Sequence, residues 1–302
     1  MLRKNSNAAR SCRASGSGSA AQKLRARTAF KACGVRGFLQ ERMYAMSFKV
    51  LAVGDTVGPP GLEYIQRRLR AIKRELEADF VVVNGENANV VGCTPRQADT
   101  LLDAGADCVT LGNHTWTRWE LQPYLDDSIR VIRPANYAPQ CPGRGCVSLD
   151  TPAGEVLVVN LIGRFTLDPN TDNPFLTADD ILGQTGAKII LVDFHAEATS
   201  EKLAMGYFLD GRVSAVWGTH THVQTSDARV LPNGTGYVTD LGMTGPVESV
   251  IGIKPEQSIG KFLGDVPRRY ECAHGKAKLE GALFTIDEAT GRCLETRTVR
   301  YL

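Results

Sequence analysis

From residue 48 onward, short apolar runs alternate with amphipathic stretches. The apolar runs lie at 48–53 (FKVLAV), 80–84 (FVVVN), 108–111 (CVTL), 156–161 (VLVVNL), 188–192 (KIILV), 214–217 (SAVW) and 236–239 (GYVT). Several are apolar on consecutive positions, the pattern of strands covered on both faces. Between them, residues 61–78, 95–104 and 200–209 carry apolar residues at helical spacing. The alternation predicts an α/β layered domain. Segment 133–150, rich in turn residues, reads as a long excursion, and it and segment 168–180 are expected to rim a site. Neither an internal repeat nor a Pro/Ser-rich linker divides residues 47–302, so one domain is expected there.

Composition narrows the class. With 43% hydrophobic and 23% charged residues, the chain fits neither a collagen-like, a disordered nor a coiled-coil sequence. It also lacks the roughly 18 uninterrupted apolar residues of a membrane span. The formal net charge of +2 hides an asymmetry: residues 1–46 hold ten Lys/Arg against the single acid Glu41, whereas the rest holds 25 basic and 32 acidic residues. The basic extension suits a transit peptide or a nucleic-acid arm. Met46 directly precedes the first apolar run, and the simplest reading is a start codon placed too far upstream, with 1–46 disordered. The acidic body argues against a stable complex with long nucleic acid. Eight scattered cysteines without a C-x-x-C pair or a secretory segment fit reduced thiols in a cytoplasm, with Cys141 and Cys146 read as unlinked loop thiols. The run Arg67, Arg68, Arg70, Lys73, Arg74 reads as a solvated helix face, and His274 as an exposed or capping histidine.

The candidate chemistry lies where the strands end, since open α/β folds bind ligands beyond the carboxyl ends of their strands. There the sequence places Gly54-Asp55, Asn84-Gly85-Glu86-Asn87, Gly112-Asn113-His114, Asp193-Phe194-His195 and Gly218-Thr219-His220-Thr221-His222. Four of the five histidines fall in these clusters. A single Asp or His after a strand is usually a cap or a turn residue; five coincident clusters are not. Asp, Glu, Asn and His without cysteine form a hard-to-borderline donor set suited to Mn, Fe or Zn. Seven or so ligands exceed one ion, so two divalent cations sharing a bridging carboxylate are expected. Were the His-Thr-His segment extended, both of its rings would point to one side.

In order and spacing, the motifs Gly54-Asp55-Thr56-Val57-Gly58, Gly85-Glu86-Asn87-Ala88-Asn89, Gly112-Asn113-His114-Thr115-Trp116, the stretch from Phe194 to Lys202, Gly218-Thr219-His220-Thr221-His222 and the stretch from Thr239 to Pro246 resemble the YmdB-like branch of the calcineurin-like metallophosphoesterases. Where the wider superfamily opens with Asp-x-His, Asp55 is followed by Thr56-Val57, and Glu86 stands where an Asp bridges. Both departures are features of the YmdB-like branch. The resemblance implies two mostly parallel or mixed sheets packed as a sandwich between helices, a four-layer α/β/β/α arrangement.

It further implies Asp55, Glu86, Asn87 and His222 around one metal and Glu86, Asn113, His195 and His220 around the other, with Fe or Mn preferred and Zn allowed. Glu86 would bridge them, and His114 would be the proton donor to the leaving group. The implied activity is in-line attack by a metal-activated hydroxide on a small phosphodiester, with 2′,3′-cyclic nucleotides as substrates. The alternative is a regulatory module that keeps the metal site to sense a nucleotide or recruit a partner, because a complete ligand set does not set a rate. A dinucleotide-binding loop at Gly54, Gly58 and Gly61 lacks the G-x-G-x-x-G spacing. No membrane partner is expected, and a homo-oligomer is left open.

Overall fold

The first strand feeds two cores at once. β1 (Ser47–Val53) sends Leu51 and Val53 to one side and Phe48, Val50 and Ala52 to the other, as the two-residue period of a strand requires. This is why its sequence is apolar on successive positions. β7 (Gly154–Ile162) does the same, with Val156 and Val158 on one face and Leu157, Val159 and Leu161 on the other. The computed structural model describes residues 47–167, 170–266 and 268–302; the basic extension 1–46 lies outside the described residues.

Among the described residues there are two mixed sheets. The larger runs in the order β2 (Asp55–Thr56), β12 (Met243–Pro246), β13 (Ala277–Asp287), β1, β3 (Phe80–Asn84), β4 (Cys108–Thr110) and β5 (Val131–Ile132), with β14 (Cys293–Tyr301) also paired to β13. The second runs β10 (Arg229–Val230), β11 (Gly236–Val238), β9 (Ala215–Thr219), β8 (Ile189–His195), β7 and β6 (Cys146–Thr151). The two sheets face each other across a core that includes Phe48, Phe80, Val158, Leu191, Trp217 and Phe284.

Helices cover the outer faces. α1 (Gly58–Glu75), α2 (Pro95–Asp103) and α3 (Leu121–Asp127) lay Ile65, Leu69, Ile72, Leu101 and Leu125 on the larger sheet. α4 (Pro174–Leu182) and α5 (Thr199–Leu209) lay Ala178, Met205 and Leu209 on the second. Each fully buried Leu or Ile contributes about 1.5–3 kcal/mol. The four layers expected from the resemblance are present. α6 (Pro255–Leu263) stands apart from these cores.

Two expectations shift. The helix predicted over 61–78 runs from Gly58 to Glu75, since prolines in its first turn preset the helical φ and lack N–H groups that would be orphaned there. It stops where Glu77 takes a left-handed φ of 53°. The end of the excursion 133–150 is not a loop: residues 146–151 are β6, antiparallel to β7 from Cys146↔Val159 to Thr151↔Gly154. As an edge strand, its mixed burial gives no apolar run to read.

Candidate metal centre

The residues singled out converge from both sheets. Asp55 is on β2, Glu86 and Asn87 follow β3, and Asn113 and His114 follow β4; His195 ends β8, and His220 and His222 follow β9. Gly112 allows the approach, because a Cβ there would overlap both Glu86 Oε2 and His195 Nε2.

The side chains form two groups joined by Glu86. In one, His195 Nε2 lies 3.1 Å from Glu86 Oε1, 2.9 Å from Asn113 Oδ1 and 3.1 Å from His220 Nδ1. In the other, Asn87 Nδ2 lies 3.2 Å from Glu86 Oε1 and 3.2 Å from His222 Nε2, which is itself 3.7 Å from Asp55 Oδ1. Glu86 Oε2 accepts from the backbone N–H of His114 at 3.1 Å, which sets that half-buried histidine at the edge of the cluster.

The His-Thr-His segment is not extended. His220 and His222 have φ of 98° and 62°, left-handed values that cost non-glycine residues on the order of 1–3 kcal/mol each. In consequence the rings diverge, His220 toward His195 and His222 toward Asp55 and Asn87, so each joins a different group. The backbone N–H of His220 donates to Asp55 Oδ2 at 3.1 Å and helps hold this turn.

His195, His220 and His222 each turn one ring nitrogen into the cluster and engage the other outside it. His195 Nδ1 meets Thr219 Oγ1 at 2.9 Å, and since that hydroxyl donates to Asp193 Oδ1 at 2.8 Å, Nδ1–H is the donor to Thr219. His222 Nδ1–H donates to the Ile251 carbonyl at 2.9 Å. His220 Nε2–H donates to Glu197 Oε2 at 2.9 Å. Such outer partners fix the tautomer of a metal-binding histidine.

The electrostatics suit a cation. Burial pushes the Asp55 carboxyl up to about 6, against the pull of His222 and His195. Its Oδ1 is buried without a hydrogen-bond partner. Burial also acts on Glu86 and His195, but their mutual charge and hydrogen bond prevail, holding Glu86 below the carboxylate range and His195 above the usual imidazole value. Burial and the neighbouring His195 push His220 down to about 3. One ligand atom each from Glu86, His195 and His220 lies within 4.8 Å of the others. Converging carboxylate and imidazole donors, an orphaned carboxylate oxygen and outward-anchored tautomers fit divalent cations. For Asn87, which presents its amide nitrogen, coordination through Oδ1 requires a half-turn about χ2.

Beneath the donors lies a polar layer that spans the two sheets. Asp193 is fully buried and accepts from Thr219 Oγ1, from Thr110 Oγ1 and from Asn84 Nδ2, the last at 3.3 Å. It faces this layer and not the donor cluster. Thr219 and Glu197 also support the histidines; both stand in the quoted motifs, where nothing in the sequence marks them as partners of His195 and His220.

The first excursion meets the start of the second, which is irregular only as far as Asn173, where α4 begins. Asn136 donates to the carbonyls of Ile162 and Asp172 at 2.9 and 3.0 Å, and Ile162 is in register with His195. His274 is exposed, as are Arg67, Arg68, Arg70 and Arg74, with Lys73 half-buried. Cys141 and Cys146 are free thiols, the latter on β6 and not in a loop.

Comparison with known proteins gives a consistent picture. A family model described as YmdB-like protein matches residues 51–299. The chain is 42% identical over 254 residues to a 2′,3′-cyclic-nucleotide 2′-phosphodiesterase of Bacillus subtilis (strain 168), covering 83% of this chain and 96% of that protein. A crystal structure of a hypothetical protein from Thermus thermophilus matches with a TM-score of 0.79 and 41% identity, over 84% of this chain and 99% of that one. A crystal structure of a novel phosphatase from Mycoplasma pneumoniae matches with a TM-score of 0.80 and 34% identity, over 84% and 93%.

Proposed function

The chain belongs to the YmdB-like protein family, and on that footing we propose that it is a metal-dependent phosphodiesterase that opens 2′,3′-cyclic nucleotides at the 2′ ester, leaving a 3′-phosphate. The observation that carries the reading is the convergence of six side chains from both sheets around Glu86, with Asp55 Oδ1 buried and without a hydrogen bond among them. Asp55, Glu86, Asn87 and His222 would hold one divalent cation, and Glu86, Asn113, His195 and His220 the other, with Fe or Mn as the metal. Bound cations supply a nucleophilic water near neutral pH and neutralise charge on the phosphoryl oxygens.

The protein's own part is positioning and proton transfer. Asp55 and Glu86 bring the negative charge that draws cations into the interior. His195, His220 and His222 each present one nitrogen to the cluster because Thr219, Glu197 and the Ile251 carbonyl take the other, and at His195 a cation would displace the proton that Glu86 holds on Nε2. His114, anchored through its backbone to Glu86, leaves its imidazole for the departing 2′ oxygen, a poor leaving group unless protonated.

The test is to strip the full-length protein with chelator, add 2′,3′-cyclic AMP with and without Mn²⁺, and follow 3′-AMP. Turnover that returns only with metal supports the reading. Equal turnover of stripped and reloaded protein refutes it.

A further inference from the structure

Two charged residues that hold no metal in this scheme stand in the motif stretches that led to it. Lys202 on α5 and Asp240 after β11 form an ion pair of 2.6 Å with side chains 2% and 1% exposed. Lysine is almost never this buried unless paired. Asp240 Oδ2, which meets Lys202 Nζ, also accepts from the Thr221 hydroxyl at 2.7 Å and from the Thr221 N–H at 3.2 Å. The other oxygen accepts from the Gly242 N–H at 2.9 Å, and the Asp240 backbone is bonded on both sides to Thr225, at 2.9 and 3.1 Å.

Thr221 is the one residue between His220 and His222. Its neighbours occupy left-handed φ values that are sparsely populated without glycine and persist only where surroundings over-determine them. A relaxed turn would swing one imidazole out of its group. The flanking anchors act on the histidines, at the His220 N–H and the His222 Nδ1–H. Asp240 acts on the pivot between them, through charge-assisted hydrogen bonds, the stronger kind.

We propose that the Lys202–Asp240 pair is the positioning device of the histidine fork: Asp240 clamps Thr221 so that His220 and His222 face different groups of donors, and Lys202 compensates the charge that the clamp buries. The inference rests on the metal reading above. Their hydrogen bonds run to each other, to Thr221, to Thr225 and to Gly242 and to none of the proposed ligand side chains, so both are positioning residues.

A comparison of two charge-neutral double variants separates the clamp from general stability. In full-length protein, K202M/D240N keeps an oxygen to accept from Thr221, whereas K202M/D240L, branched at the same carbon, keeps none. Mn²⁺ stoichiometry and affinity are measured by titration calorimetry, the coordination signature by electron paramagnetic resonance, and folding by thermal unfolding. The expected result is that K202M/D240N retains both ions within about tenfold of wild-type affinity, and that K202M/D240L is folded but binds Mn²⁺ about 10–100-fold more weakly, the usual loss when a ligand's outer support is removed. Wild-type affinity and spectrum in a folded K202M/D240L overturn the proposal. Should that variant not fold, Thr221→Val, which leaves the ion pair intact, decides: weaker Mn²⁺ binding at unchanged thermal midpoint supports the clamp, and unaltered binding overturns it. Wild-type protein that binds no Mn²⁺ refutes the metal reading itself.

Discussion

Asp193 and His195, two residues apart on β8, are joined through a third side chain: Thr219 Oγ1 lies 2.8 Å from Asp193 Oδ1 and 2.9 Å from His195 Nδ1. Because the hydroxyl has one proton and gives it to the carboxylate, an imidazole proton is held on Nδ1, and Nε2, facing Glu86 and Asn113, is the nitrogen that would exchange its proton for a cation. Thr219→Val keeps the shape and removes this control. Metal affinity should fall about 10–100-fold with the fold retained, and Thr219→Ser should restore it. Titration calorimetry with Mn²⁺ on both variants checks this.

Asp55 carries an opposing stability effect. Its folded-state pKa of about 6 lies above the 3.8 of an unburied aspartate, so the native state favours the protonated carboxyl. Stability from this group is therefore complete below about pH 4 and is lost as pH rises through 6. In chelator-treated protein, Asp55→Asn should raise unfolding free energy above pH 6 by up to roughly 3 kcal/mol, with the gain vanishing near pH 4. Denaturant titrations at the two pH values measure the difference, and the same variant should no longer bind metal.

His114 separates chemistry from assembly. Its hydrogen bond to Glu86 comes from the backbone N–H, which alanine supplies equally well. His114→Ala should keep full metal content and thermal stability while turnover of 2′,3′-cyclic AMP drops about 10²–10⁴-fold. Metal analysis by mass spectrometry beside steady-state kinetics tests both halves.

Gly112 is the position where one methyl group should do most damage. Its Cβ would overlap Glu86 Oε2 and His195 Nε2, both fully buried, so neither can retreat into solvent. Gly112→Ala should destabilise by about 1–3 kcal/mol, as overpacking does, and abolish Mn²⁺ binding. Thermal unfolding and calorimetry report the two effects independently.

The strands that could be read directly are those apolar on both faces, such as β1, β3 and β7, whose sequences need no partner to be recognised. β13 escaped because Lys278 and Glu280 interrupt its run. Glu280 is nonetheless 3% exposed, paired with Lys278 on its own strand at 2.7 Å and with Arg300 at 3.4 Å, the second partner arriving only with β14. β6 and β14 alternate on an edge and carry no continuous signal. The donors were legible because a side chain at a strand end is placed by the strand alone. The sense of the histidine fork was not, since it depends on two left-handed residues held by Asp55 and Asp240, remote in sequence. The roles of Glu197 and Thr219 were not legible for the same reason: each is a distance to a ring carried by a different segment, His220 after β9 and His195 on β8.

The two halves of the candidate centre ride on different sheets, the carboxylates and amides on one and the imidazoles on the other. What separates the halves is the apolar filling between the sheets, where Trp217 packs on Phe284 at 5.6 Å and Phe48 on Phe80 at 6.2 Å. That filling is the gauge of the reaction centre. A change of ring size at Trp217 or Phe284 would shift one sheet against the other and with it the spacing of carboxylates and imidazoles, although neither ring touches the proposed donors.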